Sequence, residues 1–500
     1  MSEHYKTIAK GALIIFAGML ISKIFTYLYR ILLARGLGPE AYGIFSICFA
    51  IVACLSTVAL LGFPSALERF IPIYYKNKSN LKGIINFTLA LSGVVSILLG
   101  ILLFIFAKEV ATFFGNAGIT DVIGIFAIVV PILTILSLGY SISKAFKNAL
   151  YLTLTSNIIY PSANLILAAV LVYMGYGITS IAISFVAANL LTLIVLFVLI
   201  HKKLFSFTQK IKRISMSSTI LVYSLPLMFT GLFGFILTWT DTIMLGILST
   251  ETTVGLYNAA FPTAMLLYMI PVMITSLFLP VVSELLAKKK FEDVSRTFKI
   301  VSYWIMTFNF PILLFFVVSS KILLGLLFGE TYTQASTAFI ILSIGFFIYS
   351  IFMPTLRMLE LYKRTKFIFV ITFISAILNL ILDIVWIPTY GMAGAALAST
   401  ISLTLMSILA LIKIRLIGKI HLFSLEMFKS VFVTLLIFIP LYWVYHYMLG
   451  SSLMNFIIIS VVFGICYSVV MYRFVLTDID KDIVKRVLLR LKNVKSGVSK

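Results

Sequence analysis

The sequence predicts an all-α integral membrane protein with about fourteen transmembrane helices, judged by the lengths of its apolar segments. The chain has 500 residues, of which 61% are hydrophobic and only 11% are charged. This composition lies far from that of a soluble domain. The basic residues are concentrated in alternate loops, which is typical of a protein that crosses the membrane many times.

The positive charges also predict the orientation in the membrane. All but five of the 39 Lys and Arg residues fall in the termini or in alternate loops on one side; the exceptions are Lys23, Arg30, Arg35, Lys108 and Lys321. We therefore expect a multi-pass protein of the plasma membrane with both termini in the cytoplasm. The net charge of +22 then faces anionic lipid, which argues against nucleic acid as a partner.

The predicted helices follow one another along the whole chain. The first apolar segment carries two cations and has no small-residue cleavage site, so we expect it to be retained as a helix. No loop is long enough to form a soluble catalytic domain. The predicted spans are 9–34, 41–62, 83–107, 119–143, 148–174, 178–200, 219–248, 254–283, 297–320, 335–356, 365–387, 391–414, 427–449 and 454–474.

Recurring short motifs predict that the chain contains two similar halves. Pro64–Glu68 is similar to Pro280–Glu284, and Asn164–Leu167 recurs as Asn379–Leu382 at nearly the same offset. Six helices in each half give a parallel repeat. The predicted domains are an N-terminal six-helix bundle (1–200), a basic cytoplasmic linker (201–218), a C-terminal six-helix bundle (219–414), helices 13 and 14 (415–475) and a basic amphipathic cytoplasmic tail (476–500), which is either an interfacial helix or a solvated segment.

Two cations inside the first predicted helix are the first candidates for a site. Lys23 and Arg30 are seven residues apart and share one helix face, with Tyr27 between them. A charge at the bilayer centre costs roughly 3 kcal/mol on insertion scales, so we expect both cations to face a partner or a wet cavity. Their chemistry suits a phosphate or pyrophosphate. The alternative is that they extend towards the outer interface.

Two acids in the second half are the next candidates. Asp241 lies in the counterpart of the first helix, at a position that the repeat offset brings close to Arg30. It either latches to Arg30 across the halves, binds a cation or proton, or forms a structural ion pair. Asp383 is either a polar rim residue or a coupling carboxylate. The amides of Asn164 and Asn379 bind sugar hydroxyls or join helices.

Other kinds of site find no support in the sequence. The three cysteines and four histidines show no metal-ligand spacing. No phosphate-binding GxxxxGK[ST] loop is present, so the chain carries no ATPase motif of its own. We therefore expect no metal site, no catalytic residues and no cofactor other than a coupling ion, Na⁺ or H⁺.

Several motifs then resemble a known family. Tyr29–Phe45, which reads YRILLARGLGPEAYGIF, is similar to the opening of the polysaccharide-biosynthesis (O-antigen type) lipid-linked oligosaccharide flippases. Leu61–Phe70, Trp239–Gly246 and Val254–Tyr257 resemble later stretches of that family. The family lies within the multidrug/oligosaccharidyl-lipid/polysaccharide exporter superfamily. Helix count and charge pattern extend the resemblance over essentially the whole chain.

The resemblance implies a V-shaped pair of six-helix bundles around a cationic cavity. The cavity would take the phosphate-linked glycan, and the polyprenyl tail would lie in a groove near helices 13 and 14. Family-type cavity cations map to Lys23, Arg30 and Arg35. Few other basic residues are buried, which argues against a highly anionic glycan.

These observations together predict a flippase that moves a polyprenyl-(pyro)phosphate-linked oligosaccharide to the outer leaflet by alternating access. Lys23 and Arg30 would hold the phosphate, Tyr27 would stack on sugar, and Asp241 would latch or couple ions. Glycan-assembly enzymes are possible partners beside membrane lipid. The alternatives are an ion-coupled multidrug antiporter of the same superfamily and a peptidoglycan-precursor flippase. A membrane enzyme is disfavoured because the acids of the outer loops are widely scattered.

Overall fold

A computed structural model describes residues 3–205, 217–418, 425–444 and 453–475. Every regular element within these ranges is a helix, which confirms the predicted all-α fold. Most of the predicted linker 201–218 and the whole predicted tail 476–500 lie outside the described residues. Those two predictions therefore stay predictions.

The helices are numbered here in chain order. They are α1 (Glu3–Ala59), α2 (Phe63–Ile73), α3 (Lys78–Ile105), α4 (Ala107–Phe113), α5 (Gly118–Phe126), α6 (Val129–Ala145), α7 (Ala149–Leu152), α8 (Tyr160–Tyr173), α9 (Thr179–Lys203), α10 (Ser217–Leu248), α11 (Glu251–Ala264), α12 (Met269–Ala287), α13 (Phe291–Phe328), α14 (Ser336–Leu361), α15 (Thr365–Tyr390), α16 (Met392–Gly418), α17 (Leu425–Trp443) and α18 (Leu453–Val470). Short π-helical turns at Thr153–Ile159 and Met471–Val475 and 3₁₀ turns at Met265–Tyr268 and Glu330–Ala335 complete the described elements.

The described residues contain twelve helices that are long and apolar enough to cross a membrane. The number is lower than fourteen because the first two predicted spans form one element, Gly18–Ala59, and because the last apolar helix, Ile458–Arg473, is shorter. The first element changes direction at Gly38, whose backbone has φ 82° and ψ 174°. Gly38 and the following Pro39 are the residue types that such a break requires.

The chain divides into two compact units. The first comprises Met1–Thr263, Leu323–Ile341 and Thr372–Ser402, and the second comprises Ala264–Ile322, Leu342–Ile371 and Leu403–Lys500. These boundaries fall inside helices of the second half of the sequence. The units therefore do not coincide with the predicted six-helix halves, and the predicted domain boundaries stay predictions.

In the first unit, α2, α3, α6 and α9 pack around a continuous apolar core. Its fully buried members include Phe63, Leu67, Ile84, Leu138 and Leu196. Lipid tails are as apolar as these side chains, so close van der Waals packing rather than exclusion from water favours the assembly. Gly139 permits this closeness, because a Cβ built there would lie 2.8 Å from the side chain of Leu196.

A second close approach in the same unit brings α1 and α11 into backbone contact. A Cβ at Gly43 would lie 1.8 Å from the Glu251 carbonyl oxygen, and a Cβ at Gly255 would lie 1.9 Å from the Pro39 carbonyl oxygen. Neither backbone is able to move without separating the helices. Only glycine fits at these two positions, which is the small-residue crossing expected of membrane helices.

In the second unit, buried polar groups join helices that lie far apart in sequence. The Asn309 amide donates to the Leu267 carbonyl at 2.9 Å and to the Ser350 hydroxyl at 2.8 Å. Leu267 lies in the 3₁₀ turn, so Asn309 satisfies a carbonyl at an irregular stretch of helix. The Tyr467 hydroxyl donates to the Thr307 carbonyl at 2.6 Å, which ties α18 to α13.

The crossing of α1 and α11 predicts that Gly255→Ala lowers stability. The added methyl group would force two backbones apart, and such overpacking costs about 1–3 kcal/mol. Thermal unfolding of purified protein in detergent measures the change. Gly234→Ala is the control, because nothing lies within 4 Å of a Cβ at that position. An unfolding temperature equal in the Gly255 and Gly234 variants would contradict the proposed contact.

Candidate functional site

Arg30 lies on α1 at the edge of a cavity of about 210 Å³ within the first unit. Its Nη1 donates to the Tyr42 hydroxyl at 2.9 Å and to the Asn258 carbonyl at 3.3 Å. The Tyr42 hydroxyl in turn donates to the same carbonyl at 3.1 Å. Among the described residues no carboxylate forms an ion pair with Arg30. A cation held this way lacks a counter-charge, so the site favours an anion.

Aromatic rings line much of this cavity. Phe45 is central, because its ring centroid lies 6.2 Å from that of Tyr29 and 5.9 Å from that of Phe185. The ring of Phe49 lies 5.0 Å from that of Trp239. The full lining is Thr26, Tyr29, Arg30, Tyr42, Phe45, Ser46, Phe49, Tyr160, Pro161, Asn164, Phe185, Trp239 and Asn258.

Two amides complete the polar part of the cavity wall, and they differ in how they are satisfied. The Asn258 side chain donates to the Val254 carbonyl at 3.0 Å and to the Thr242 hydroxyl at 3.2 Å, so it is used within the protein. The Oδ1 atom of Asn164 is buried and accepts no hydrogen bond from the described residues. Asn164 was among the residues predicted to bind substrate. The Tyr29 hydroxyl, a second buried cavity group without a hydrogen-bond partner in the described chain, interacts with it, so a donor and an acceptor lie side by side in the wall.

Lys23 and Tyr27 share a helix face with Arg30 but are not part of the cavity wall. Lys23 is exposed and forms no ion pair within the described part of the chain. The Tyr27 hydroxyl donates to the Pro262 carbonyl at 2.7 Å. Pro262 lies in the last turn of α11, just before the helix becomes a 3₁₀ turn. Tyr27 therefore satisfies a backbone carbonyl where the helix is irregular, rather than lying against the cavity.

Arg35 also binds backbone rather than lining the cavity. Its Nε donates to the Leu327 carbonyl at 3.1 Å, and its Nη2 donates to the Leu326 carbonyl. These carbonyls belong to the last turn of α13, whose partial negative charge favours a cation. Tyr332 donates in the opposite direction, to the Ala34 carbonyl at 3.3 Å. The pair of contacts fixes the end of α13 against the kink region of α1.

Asp241 forms the centre of a separate buried cluster in the same unit. Its carboxylate accepts hydrogen bonds from the Asn379 amide at 3.1 Å, from the Ser399 hydroxyl at 2.7 Å and from the Tyr257 hydroxyl. Asn379, which was predicted to bind substrate, is thus engaged by Asp241. Arg30 and Asp241 form no ion pair with one another in the described structure, because each is satisfied by other groups.

Asp383 lies beside Asp241 and is completely buried. It follows Asn379 by one helical turn on α15, so both side chains point from the same face. No N–H or O–H group of the described residues donates to either oxygen of Asp383, and the Oδ1 of Asn379 also lacks a donor. Acceptor oxygens without donors, next to a second carboxylate, form an environment that a proton or a cation would stabilise.

Sequence reasoning did not identify Tyr42 or the aromatic wall. Tyr42 is part of the motif that carries the family resemblance, but it lies beyond the break at Gly38. Helical periodicity does not extend across such a break, so spacing alone does not predict its contact with Arg30. Phe45, Phe185 and Trp239 come from three different helices, and in a membrane helix an aromatic residue facing a cavity looks the same in sequence as one facing lipid.

Curated proteins from an archaeon and a bacterium are among those that resemble the chain in sequence. The probable low-salt glycan biosynthesis flippase Agl15 of Haloferax volcanii is 27% identical over 176 residues, which is 35% of this chain and 37% of that protein. The chain thus matches little more than a third of the length of this relative. Stage V sporulation protein B of Bacillus subtilis is 24% identical over 440 residues, covering 81% of this chain and 83% of its own length.

A solved structure extends the likeness to the fold. The lipid II flippase MurJ, in an inward closed conformation, is 20% identical in sequence and superimposes with a TM-score of 0.75. The superposition covers 92% of this chain and 99% of that one. This likeness confirms the predicted two-bundle transporter fold.

Two family models match the sequence and overlap in the middle of the chain. The model for MatE matches residues 226–385. The model for polysaccharide biosynthesis protein matches residues 8–286, which is more than half of the 500 residues and includes Arg30, Tyr42, Asn164 and Asp241. The chain therefore belongs to the polysaccharide biosynthesis protein family, as the resemblance of its motifs indicated.

Proposed function

We propose that this protein is a flippase that moves a polyprenyl-(pyro)phosphate-linked oligosaccharide from the inner to the outer leaflet of the plasma membrane. Both termini lie in the cytoplasm, in the orientation that the basic loops predict. The lipid-linked product is then accessible to glycan-assembly enzymes at the cell surface. The name of the relative Agl15 and the fold shared with MurJ support this assignment.

The observation that carries the proposal is the state of Arg30. It is a cation in a membrane-spanning helix, it lies at a cavity, and no described carboxylate neutralises it. The hydroxyl and the carbonyl that it contacts are neutral acceptors. The guanidinium group binds two phosphate oxygens at once, and a phosphate supplies the negative charge that no described carboxylate provides. Exposed Lys23, on the same helix face, adds a second positive charge near the entering anion.

The lipid tail has a separate apolar surface available in the second unit. α13, α17 and α18 together form a pocket whose lining includes Phe315, Phe438 and Phe463. All three rings are apolar, and a polyprenyl chain needs no polar partner. This pocket, of about 40 Å³, supports the expectation that the tail lies near the last two predicted spans, whose described helices are α17 and α18.

Alternating access follows from what a bound phosphate would change. Arg30 on α1 holds the Asn258 carbonyl on α11, so one side chain joins the first half of the sequence to the second. A phosphate would compete with this carbonyl and with Tyr42 for the same donors. Substrate binding would therefore weaken one of the contacts at the crossing of α1 and α11, and in this proposal that change favours a rearrangement of the two predicted halves about the site.

The driving force in this proposal is a coupling ion bound at Asp241 and Asp383. Two adjacent buried carboxylates repel one another unless a proton or a cation lies between them. The donor set fits either ion: it consists of carboxylate, amide and hydroxyl oxygens, and three of these oxygens lack a hydrogen-bond donor among the described residues. Na⁺ or H⁺ entry would neutralise the pair, and ion release would restore the repulsion.

An ion-coupled multidrug antiporter is the second candidate. The MatE match over residues 226–385 and the paired carboxylates Asp241 and Asp383 favour it, because cation exchange needs acidic groups. The cavity argues against it, since Arg30 at its edge repels a cationic substrate. A peptidoglycan-precursor flippase shares the phosphate chemistry of the lead proposal, and a transport assay with each lipid separates the two. The family match supports a transporter rather than an enzyme.

Replacement of Arg30 tests the phosphate site. We expect Arg30→Gln to lower the rate of flipping by about 10- to 100-fold, because a hydrogen bond to a charged group contributes about 1.5–3 kcal/mol. Flipping of a fluorescent polyprenyl-phosphate-linked glycan in proteoliposomes measures the rate. The fold is expected to survive, since Tyr42 still donates to the Asn258 carbonyl.

Arg35→Gln is the matched control for this experiment. It removes the same type of side chain from the same helix, but from a contact with carbonyls at the end of α13. We expect a lower unfolding temperature and an unchanged flipping rate per folded molecule. Equal losses of flipping in the two variants would sink the assignment of Arg30 to the phosphate.

Asp383→Asn tests the ion site. The amide offers a donor to Asp241 and removes one of two buried negative charges, so neither a proton nor a cation is required there. We expect flipping to lose its response to an imposed Na⁺ or pH gradient while the protein stays folded. The control is Asp121→Asn, an exposed acid on α5. Full stimulation by a gradient in the Asp383 variant would exclude this pair from coupling.

A further inference from the structure

We propose that the cavity beside Arg30 binds the sugar directly attached to the phosphate, and that it selects an uncharged sugar. This inference rests on the proposed function and goes beyond it, because it states which part of the glycan the protein recognises. The cavity, of about 210 Å³, is large enough to hold a sugar ring, and Arg30 in its wall would place that ring next to the phosphate.

The aromatic wall supplies the first part of the argument. Phe45, Phe49, Phe185 and Trp239 contribute rings to the same cavity. The Phe49 and Phe185 rings are packed edge to face at 5.5 Å, so they present a fixed surface. The C–H face of a sugar ring is apolar and packs on such rings, while its hydroxyls point to the rim. Pockets of this kind combine an apolar lining with a few placed polar groups.

The unpaired amide oxygen of Asn164 supplies the second part. Asn164 is only 3% exposed, and its Oδ1 has no donor among the described residues. The Tyr29 hydroxyl in the same cavity interacts with Asn164 and is likewise buried without a hydrogen-bond acceptor in the described protein, so the wall offers a donor and an acceptor side by side. A sugar hydroxyl both donates and accepts and so suits this pair, whereas a carboxylate only accepts.

The charge of the lining supplies the third part. Arg30 is the one charged side chain among the residues that line the cavity. If a phosphate forms an ion pair with Arg30, a carboxylate on the adjacent sugar would be buried with no cation left to pair with it. Burying an unpaired charge is strongly unfavourable, so a uronic acid at this position is rejected while a neutral hexose is accepted.

Two synthetic lipids that differ only in the first sugar test the proposal. One carries glucose and the other carries glucuronic acid on the same polyprenyl phosphate, and flipping of each is measured in proteoliposomes. We expect wild-type protein to flip the glucose lipid at least tenfold faster. Asn164→Leu and Trp239→Leu should slow the glucose lipid and reduce this preference. The control Trp386→Leu changes a tryptophan outside the cavity and should leave the preference intact.

The outcomes separate this inference from the function on which it rests. Rapid flipping of both lipids, with no preference, would overturn the sugar site and leave the flippase assignment standing. The site would also be overturned if the Asn164 and Trp239 variants flipped the glucose lipid at the wild-type rate and kept the wild-type preference. Folded wild-type protein that flips neither lipid would overturn the proposed function and the sugar site together.

A different observation concerns the helix ends, where three lysines adopt a backbone conformation that usually requires glycine. Lys147, Lys289 and Lys363 have φ of 58°, 55° and 56°. They follow the last turns of α6, α12 and α14. We infer that these three lysine caps bind the headgroups of anionic phospholipids.

Each lysine occupies the same position in the same hydrogen-bonded motif. At α6 the Lys147 N–H donates to the Lys144 carbonyl at 2.9 Å, and the Asn148 N–H donates to the Ser143 carbonyl at 3.0 Å. The ends of α12 and α14 repeat both bonds with Lys289 and Lys363. This is the Schellman cap, whose left-handed residue is most often glycine because a Cβ destabilises that conformation.

Glycine does occupy this position at helix ends that the predicted topology places on the opposite side of the membrane. Gly115 after α4 and Gly175 after α8 have φ of 75° and 83° and make the same pair of bonds. Among the described helix ends that make both bonds, glycine holds this position on one side and lysine on the side that carries the basic loops. Leu61 and Gly62, at another helix end on the basic side, are also left-handed, but only Leu61 makes one of the two bonds. The strained backbone at the lysines calls for a compensating interaction of the side chain.

The ammonium groups have no such interaction within the described protein. Lys147, Lys289 and Lys363 are exposed, and none forms an ion pair with a described acid. The negative end of the helix dipole favours a cation there, but Lys144 and Lys288 already provide one in an unstrained conformation at α6 and α12. A side chain just beyond the last helical turn reaches the headgroup layer, where anionic phosphates provide the missing counter-charge.

Thermal unfolding in detergent micelles, with and without phosphatidylglycerol, tests the lysine caps. In wild type we expect phosphatidylglycerol to raise the unfolding temperature more than phosphatidylcholine does. The triple variant Lys147→Gln/Lys289→Gln/Lys363→Gln should lose most of this difference. The control Lys76→Gln/Lys78→Gln/Lys366→Gln removes three exposed lysines that are not at caps and should keep most of it.

A glycine series separates lipid binding from backbone strain. Lys147→Gly/Lys289→Gly/Lys363→Gly relieves the left-handed conformation, so we expect an equal or higher unfolding temperature in phosphatidylcholine and no gain from phosphatidylglycerol. A full gain in either cap variant would overturn the proposal. An equal loss in the control would overturn it too, because binding would then depend on total charge alone.

Discussion

A cation inside a membrane helix with no described carboxylate beside it is the constraint on which the first unit depends. Arg30 must be kept from lipid, and the protein meets this requirement with two neutral acceptors: the Tyr42 hydroxyl, beyond the break in α1, and the Asn258 carbonyl on α11. Because both acceptors are neutral, the charge itself stays uncompensated. The same group that holds α1 near α11 is thus the group that an anionic substrate would engage.

Other polar groups of the unit follow the same requirement, since lipid offers no hydrogen bonds. Tyr27 satisfies a carbonyl near the irregular end of α11, and Arg35 satisfies carbonyls at the end of α13. Gly43 and Gly255 allow the backbones of α1 and α11 to approach closely, which brings Tyr27 near the Pro262 carbonyl. Tyr27 and Arg35, which the sequence predicted to bind substrate, thus bind backbone carbonyls and stabilise the helices around the cavity.

The two signs of charge are kept apart in this fold. The cation near the cavity comes from the first half of the sequence, while Asp241 and Asp383 form their own buried cluster with Asn379 and Ser399. If the basic and acidic groups neutralised one another, neither would have a reason to bind an outside ion. Because of this separation, the cavity at Arg30 has no described carboxylate and the Asp241–Asp383 cluster has no described cation. In the proposed function the cavity binds the phosphate and the acidic cluster binds the coupling ion.

The sequence by itself determined the all-α membrane fold and the family, because span length, composition and ordered motifs are properties of the chain alone. It also marked Arg30, Asn164, Asp241 and Asp383 as candidate site residues, since a polar group in an apolar span is conspicuous. Only the tertiary structure decided their partners. Arg30 donates to Tyr42 across the break at Gly38, Asp241 accepts from Asn379 and lies beside Asp383, and Arg35 donates to carbonyls at the end of α13. The physical reason is that local periodicity extends along one unbroken helix, whereas these contacts cross a break or join separate helices.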